Sequence, residues 1–218
     1  MSSTITLYLT YIFTVIALLA SLTLYLQPTN SLYLKLFPFF LFIITILSFI
    51  IGYLFLKSKN NAILFNLYST LEFCFYFFVF GQIIFNKKIK KIIYFILLAY
   101  PILEVYTIFS IHKIDVFTHL TYSLGCLLIV FFCIWYFFEL FQLTHAVNLL
   151  KDPDFWICCG LFFYYACNFP IFSLLNFLKT PSNIIIKNIS SISNLLDVCL
   201  YSSFTIAFLC RIKIRKSM

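Results

Sequence analysis

Three carboxyl groups, Glu72, Glu104 and Asp197, stand inside long apolar stretches of a 218-residue chain. An ionised side chain at the centre of a bilayer costs at least ~2.5 kcal/mol even on the most lenient scale, so each must face other protein, find a donor or carry a proton. Groups in that position bind protons or cations, or receive ligands rich in hydrogen-bond donors. Each has polar companions three or four residues away, on its own helical face. Asn66, Ser69, Glu72 and Tyr76 form one stripe, Tyr100, Glu104 and Thr107 a second, Tyr164, Tyr165 and Asn168 a third, and Ser190, Asn194, Asp197 and Tyr201 a fourth. Counted from one end of each apolar run at ~1.5 Å per residue, Glu72 and Asn168 lie about ten residues deep, Asp197 about eleven to thirteen and Glu104 about seven. The expectation is a single polar layer near mid-depth. Its ligand- or proton-binding residues are Glu72, Glu104, Asn168, Asn194, Asp197, Tyr76, Tyr100 and Tyr201.

No Lys or Arg lies at that depth; the nearest basic groups are Lys187 and His119, both closer to the membrane surface. Carboxylates sharing a low-dielectric layer without a cation cannot all be ionised, so at least one must hold a proton. Pro101 and Pro170 fall within a turn of the layer and free the carbonyls of Leu97 and Ala166, which adds acceptors. The competing interpretation is interhelical hydrogen bonding by protonated carboxyls, worth ~0.6 kcal/mol each.

The elements that must position these groups follow from composition. Hydrophobic residues make up 63% of the chain and charged residues 10%, against about 25% charge in a soluble domain. The solvent is lipid. A spanning helix needs ~20 apolar residues, and the apolar runs fall at about 5–26, 32–56, 62–86, 92–111, 116–139, 154–178 and 184–210. The fold class is therefore an all-α, polytopic bundle of seven transmembrane helices forming a single domain over residues 1–218. Seven helices use ~145 residues, so no loop is long enough to fold as an appended domain. The first run precedes any basic residue and exceeds a signal-peptide core, so it reads as a retained helix.

Lys35, Lys87, Lys88, Lys90, Lys91, Lys151, Arg211, Lys213, Arg215 and Lys216 lie on one side of the membrane, and Lys57, Lys59, Lys113, Lys179 and Lys187 on the other. Basic residues near the membrane are retained on the cytoplasmic side, which places the N-terminus outside and the C-terminus inside a cytoplasmic membrane. Asp152 before Pro153 fits the cap and first turn of the sixth helix. Trp135 and Trp156 fit an interfacial aromatic belt.

Several function classes lose their chemistry at this point. The net charge of +8 is accounted for by topology and anionic headgroups, and no loop could follow a nucleic-acid backbone. All eight cysteines lie in apolar runs without a CxxC pair or metal-ligand spacing, so no metal or cofactor is expected. His112, His119 and His145 lie in or near loops on both sides, and no HExxH motif is present. No nucleophile and base can be paired, which argues against an enzyme. A retinal protein needs a Schiff-base lysine where Asp197 stands, and the seven-helix sugar carriers carry a Pro-Gln signature that this sequence lacks.

The segments Asn66-Leu-Tyr-Ser-Thr-Leu-Glu72-Phe-Cys-Phe-Tyr76 and Asp152-Pro-Asp-Phe-Trp156, followed by Gly160 and Tyr164, resemble a pattern in small seven-helix bacterial membrane proteins. The plan is also similar to the seven-helix input modules of membrane histidine kinases, although no kinase or other output domain is present. The resemblance implies a sensory or accessory role and transfers no catalytic residue. Signals would leave through a membrane or cytoplasmic partner at Lys87, Lys88, Lys90 and Lys91 and at Arg211, Lys213, Arg215 and Lys216. The alternative is a proton- or cation-coupled transporter of a small solute using the same carboxylates.

Overall fold

In the computed structural model the described residues are 3–26, 31–57, 60–110, 117–142, 148–177 and 183–214, and among them there is no strand. The helices are α1 (Ser3–Leu22), extended by a 3-10 turn over Thr23–Leu26, α2 (Leu32–Leu56), α3 (Ala62–Ile83), α4 (Lys87–Ser110), α5 (His119–Phe141), α6 (Pro153–Phe177) and α7 (Asn183–Ile214). Seven of them are long and apolar enough to cross a membrane. His112, Asp115 and His145 lie outside the described residues, as do Lys59, Lys113, Lys179, Arg215 and Lys216. The side chains of Lys187, Arg211 and Lys213 are likewise outside them.

Boundaries differ from the sequence expectation most at α4. The run of lysines reads as a loop by hydropathy, yet Lys87 begins the helix. Asn86 supplies the cap: its side-chain oxygen accepts the Lys88 N–H at 2.9 Å and its carbonyl accepts the Lys90 N–H at 3.0 Å. The start of α6 matches expectation, with Pro153 as its first residue and Asp152 Oδ1 accepting the Asp154 N–H at 3.1 Å. Pro38, Pro101 and Pro170 all sit inside helices.

Successive packing runs α1 on α2, α2 on α3, α3 on α5, α5 on α6, α6 on α7 and α7 back on α1, so six helices close a ring. The remaining helix, α4, packs on α3 from outside that ring. Its peripheral place is legible in exposure, since Phe95, Leu98, Ile102 and Phe109 are each at least 70% exposed, a face suited only to lipid. By contrast α3 is the most buried helix.

Aromatic rings fill the middle. Phe73 of α3 packs on Tyr100, Tyr122 and Tyr165 at centroid distances of 5.3–5.4 Å, and Phe37 of α2 packs on Phe204 and Phe208 of α7 at 5.3 and 5.1 Å. Two glycines make room for this packing. A Cβ at Gly125 would come within 2.7 Å of the Phe73 ring, and one at Gly160 within 2.8 Å of Ser203 Cβ. Close approach through small residues is how helices associate in lipid, where there is no hydrophobic drive between them. Cys126, Cys133 and Cys158 are buried as small packing residues.

Candidate functional site

Helical periodicity places Ser69, Glu72 and Tyr76 on one face of α3, and all three are buried. That face looks into the ring. Glu72 is 2% exposed and accepts the Tyr76 hydroxyl at 3.0 Å, an intrahelical i, i+4 pair. Tyr165 of α6 lies beside the same carboxyl group, but its buried hydroxyl makes no hydrogen bond among the described residues. Asp197 of α7, partly buried, lies close enough for its charge to act on Glu72, with Tyr164 of α6 beside it.

Further tyrosines complete the group. The Tyr68 and Tyr201 hydroxyls are 3.4 Å apart, joining α3 to α7, and Tyr201 also meets Thr14 of α1. Tyr122 of α5 stands beside Tyr164. Two carboxyls from α3 and α7 thus have tyrosines of four helices, α3, α5, α6 and α7, around them. Phenols serve both forms of a carboxyl group, because each can donate to a carboxylate or accept from a protonated acid. Such a cluster can hold and relocate a proton without solvent.

The other residues of the expected layer are distributed elsewhere. Asn168 is fully buried, donates to the Tyr164 carbonyl at 3.0 Å and accepts the Ser193 hydroxyl at 3.2 Å, so it ties α6 to α7 one turn away. Asn194 turns towards α1: its amide donates to Thr6 Oγ1 at 3.2 Å while its carbonyl accepts the Thr10 hydroxyl at 3.0 Å. Tyr100 donates to the Thr121 carbonyl at 3.1 Å, joining α4 to α5. Glu104 belongs to a separate cluster with Thr118 and Asn66 near the end of the bundle at which α3 and α5 begin. The layer therefore resolves into one central carboxyl pair and four flanking polar contacts.

Tyr68, Tyr122 and Thr118 were absent from the sequence expectation. Tyr68 stands four residues from Glu72 and could have been found by periodicity. Thr118 lies at the start of the fifth apolar run, and nothing in its neighbourhood marks it.

A third acidic region sits at the opposite end of the bundle. Glu139 accepts backbone N–H groups of Phe85 at 2.6 Å and Asn86 at 3.0 Å, and the Trp135 indole N–H at 2.9 Å. Asp152 accepts the Tyr136 hydroxyl at 3.2 Å and Asp154 accepts that of Tyr33. Trp156 donates to the Leu150 carbonyl at 3.1 Å. These contacts anchor helix ends and leave the carboxylates engaged in structure. Among the described residues no three His, Cys, Asp or Glu side chains gather as a metal site would require. No protein-family model matches the chain, and no curated protein or solved structure matches it significantly.

Proposed function

We propose that this seven-helix chain is a non-enzymatic sensory or accessory subunit of a bacterial cytoplasmic membrane, in which the Glu72 and Asp197 carboxyls form the responsive element. The supporting observation is that carboxyl groups from α3 and α7 share one tyrosine-lined cluster with no lysine or arginine at their depth. Two acids in one low-dielectric site exchange protons with a large change in their mutual repulsion. Because they sit on different helices, that change acts on the spacing of α3 and α7. The N-terminus faces outward and the C-terminus inward, as the uneven distribution of basic residues favours. Lys87, Lys88, Lys90 and Lys91, at the start of α4, and the basic end of α7 then face the cytoplasm and offer a partner an electrostatic surface.

The test uses the protein in lipid vesicles with spin labels at the ends of α3 and α7. A pH step should change the distance between labels in the native protein and leave it fixed in the Glu72→Gln, Asp197→Asn double variant. An unaltered response in that variant sinks the proposal. A pH-sensitive dye inside the same vesicles separates sensing from coupled transport: solute-dependent proton flux abolished by Asp197→Asn would replace the sensory reading with a carrier.

A further inference from the structure

Where α1 begins and α2 ends, the outer surface of the bundle is indented by a cleft of about 300 Å³, lined by Tyr8, Tyr11 and Ile12 of α1 and Phe49 and Tyr53 of α2. Tyr11 fixes its shape. The Tyr11 ring stacks on Phe49 at a centroid distance of 4.5 Å, and its hydroxyl donates to the Ser48 carbonyl at 3.4 Å. Gly52 makes this position possible, because a Cβ there would overlap the Tyr11 hydroxyl. Tyr8 and Tyr53 are 59% and 56% exposed, and neither hydroxyl has a hydrogen-bond partner among the described residues. A phenol facing lipid needs an acceptor from outside the protein.

The groups are graded with depth. The apolar spans run Ile5–Tyr25 and Leu32–Leu54, so Tyr8 and Tyr53 stand within about one turn of the membrane boundary, at the level of lipid ester groups. Tyr11, Ile12 and Phe49 lie about a turn deeper, at the level of the acyl chains. Just beyond the second span, Lys57 holds its ammonium 4.5 Å from the centre of the Tyr53 ring. Resting on an aromatic face restrains the cation beside the cleft. Lys57 has no carboxylate partner among the described residues, and the first acidic residue of the chain is Glu72, which faces the interior. One ammonium and two phenols therefore converge on the mouth of an apolar cleft as donors with nothing in the protein to receive them.

We propose that this cleft retains one anionic phospholipid, a site separate from the Glu72 and Asp197 cluster and not dependent on the reading given to it. The lipid phosphate sits against the Lys57 ammonium, and the Tyr8 and Tyr53 hydroxyls donate to phosphate or ester oxygens. The first carbons of one acyl chain lie along Ile12, Tyr11 and Phe49. Charge complementarity selects the headgroup: an ammonium and neutral donors suit a phosphate, and their bonds to it are charge-assisted. A zwitterionic lipid brings its own cation, which competes with Lys57 for that phosphate. One lysine at the membrane surface favours an acidic lipid by about fivefold. The apolar lining suits the chain, and a small concave site holds it better than the flat face of a helix does.

The full chain, with Trp135→Phe and Trp156→Phe and a reporter tryptophan at Phe49→Trp, is reconstituted in phosphatidylcholine vesicles. Increasing fractions of dibrominated phosphatidylglycerol, or of dibrominated phosphatidylcholine, then quench the reporter by contact. Phosphatidylglycerol should be preferred at this position by about fivefold. Lys57→Gln should bring the preference to about one, whereas Lys151→Gln, which removes an equal charge from the other end of the bundle, should leave it intact. Tyr8→Phe with Tyr53→Phe keeps both rings and should roughly halve the preference. A reporter at Ile102→Trp, on the lipid-facing side of α4, should show none. The assignment is overturned by equal quenching from the two lipids at Phe49→Trp, by a preference that survives Lys57→Gln or the tyrosine pair, or by the same preference at Ile102→Trp. Weak quenching by both lipids, as when another helix or a second copy of the chain covers the cleft, overturns it too.

Discussion

Removing the acceptor Glu139 should loosen the junction at which the lysine-rich helix begins. Its carboxylate takes two backbone N–H groups, from Phe85 at 2.6 Å and Asn86 at 3.0 Å, and the Trp135 indole at 2.9 Å. It also stands where Lys87, Lys88, Lys90 and Lys91 crowd the first turns of α4. Cations there oppose the positive end of the helix dipole at roughly 0.3–1 kcal/mol apiece before screening, and Glu139 offsets part of that. Glutamine retains one acceptor oxygen but points an NH2 group at one of the N–H donors. Charge-assisted hydrogen bonds contribute about 1.5–3 kcal/mol each when shielded. The partial exposure of this end reduces that figure, so Glu139→Gln is expected to cost about 2 kcal/mol, or roughly thirtyfold in the folded-to-unfolded ratio. The assay is SDS-driven unfolding in mixed micelles, followed by fluorescence in a Trp156→Phe background. The chain holds two tryptophans, so Trp135 then reports alone. Hydrogen exchange of the Phe85 and Asn86 amides should accelerate in parallel, and the difference from wild type should shrink as salt rises. A cost under about 0.5 kcal/mol with unchanged exchange would refute this account of the junction.

Three other outcomes are expected. Gly125→Val should destabilise the α3 and α5 packing by about 1–3 kcal/mol in the same unfolding assay, because the Phe73 ring stands 2.7 Å from where a Cβ would be, and Phe73→Leu should restore part of the loss. Asn194→Leu removes the amide that donates to Thr6 Oγ1 at 3.2 Å and should cost only about 0.6–1.7 kcal/mol, the range for interhelical hydrogen bonds in lipid. For orientation, an impermeant maleimide added to intact cells should label Asn60→Cys and spare Lys88→Cys in a background without the native cysteines; the reverse pattern inverts the topology.

Hydropathy and run length located every helix within a few residues, because lipid leaves the backbone no choice but to satisfy itself within each span. The exception is informative. α4 begins at Lys87 and not near residue 92, since a helix can carry charge beyond the hydrocarbon once Asn86 caps it. The acids, too, were legible by their place in apolar runs. Their partners were not: periodicity fixes which face a residue occupies and says nothing of which helix lies opposite. Thus Asn194 and Asp197 share a stripe on α7, yet Asn194 turns to α1 while Asp197 stands beside Tyr164 of α6. Glu104 was grouped with Glu72 by depth, but α4 lies outside the ring, and its nearest donor is a loop-end threonine without sequence signature.

The return of α7 to α1 constrains how the molecule can be made. The Thr10 hydroxyl and the Asn194 carbonyl it bonds are 184 residues apart. At ribosomal speeds of about 5–20 residues per second, α1 waits in the bilayer for roughly 10–40 s before its partner emerges. During that interval the Thr10 hydroxyl has the Thr6 carbonyl of its own helix at 3.2 Å, and Thr14 has the Thr10 carbonyl at 2.7 Å. The early helix is thus chemically complete while alone. Asn194, the needier amide, is synthesised last and meets a hydroxyl already in place.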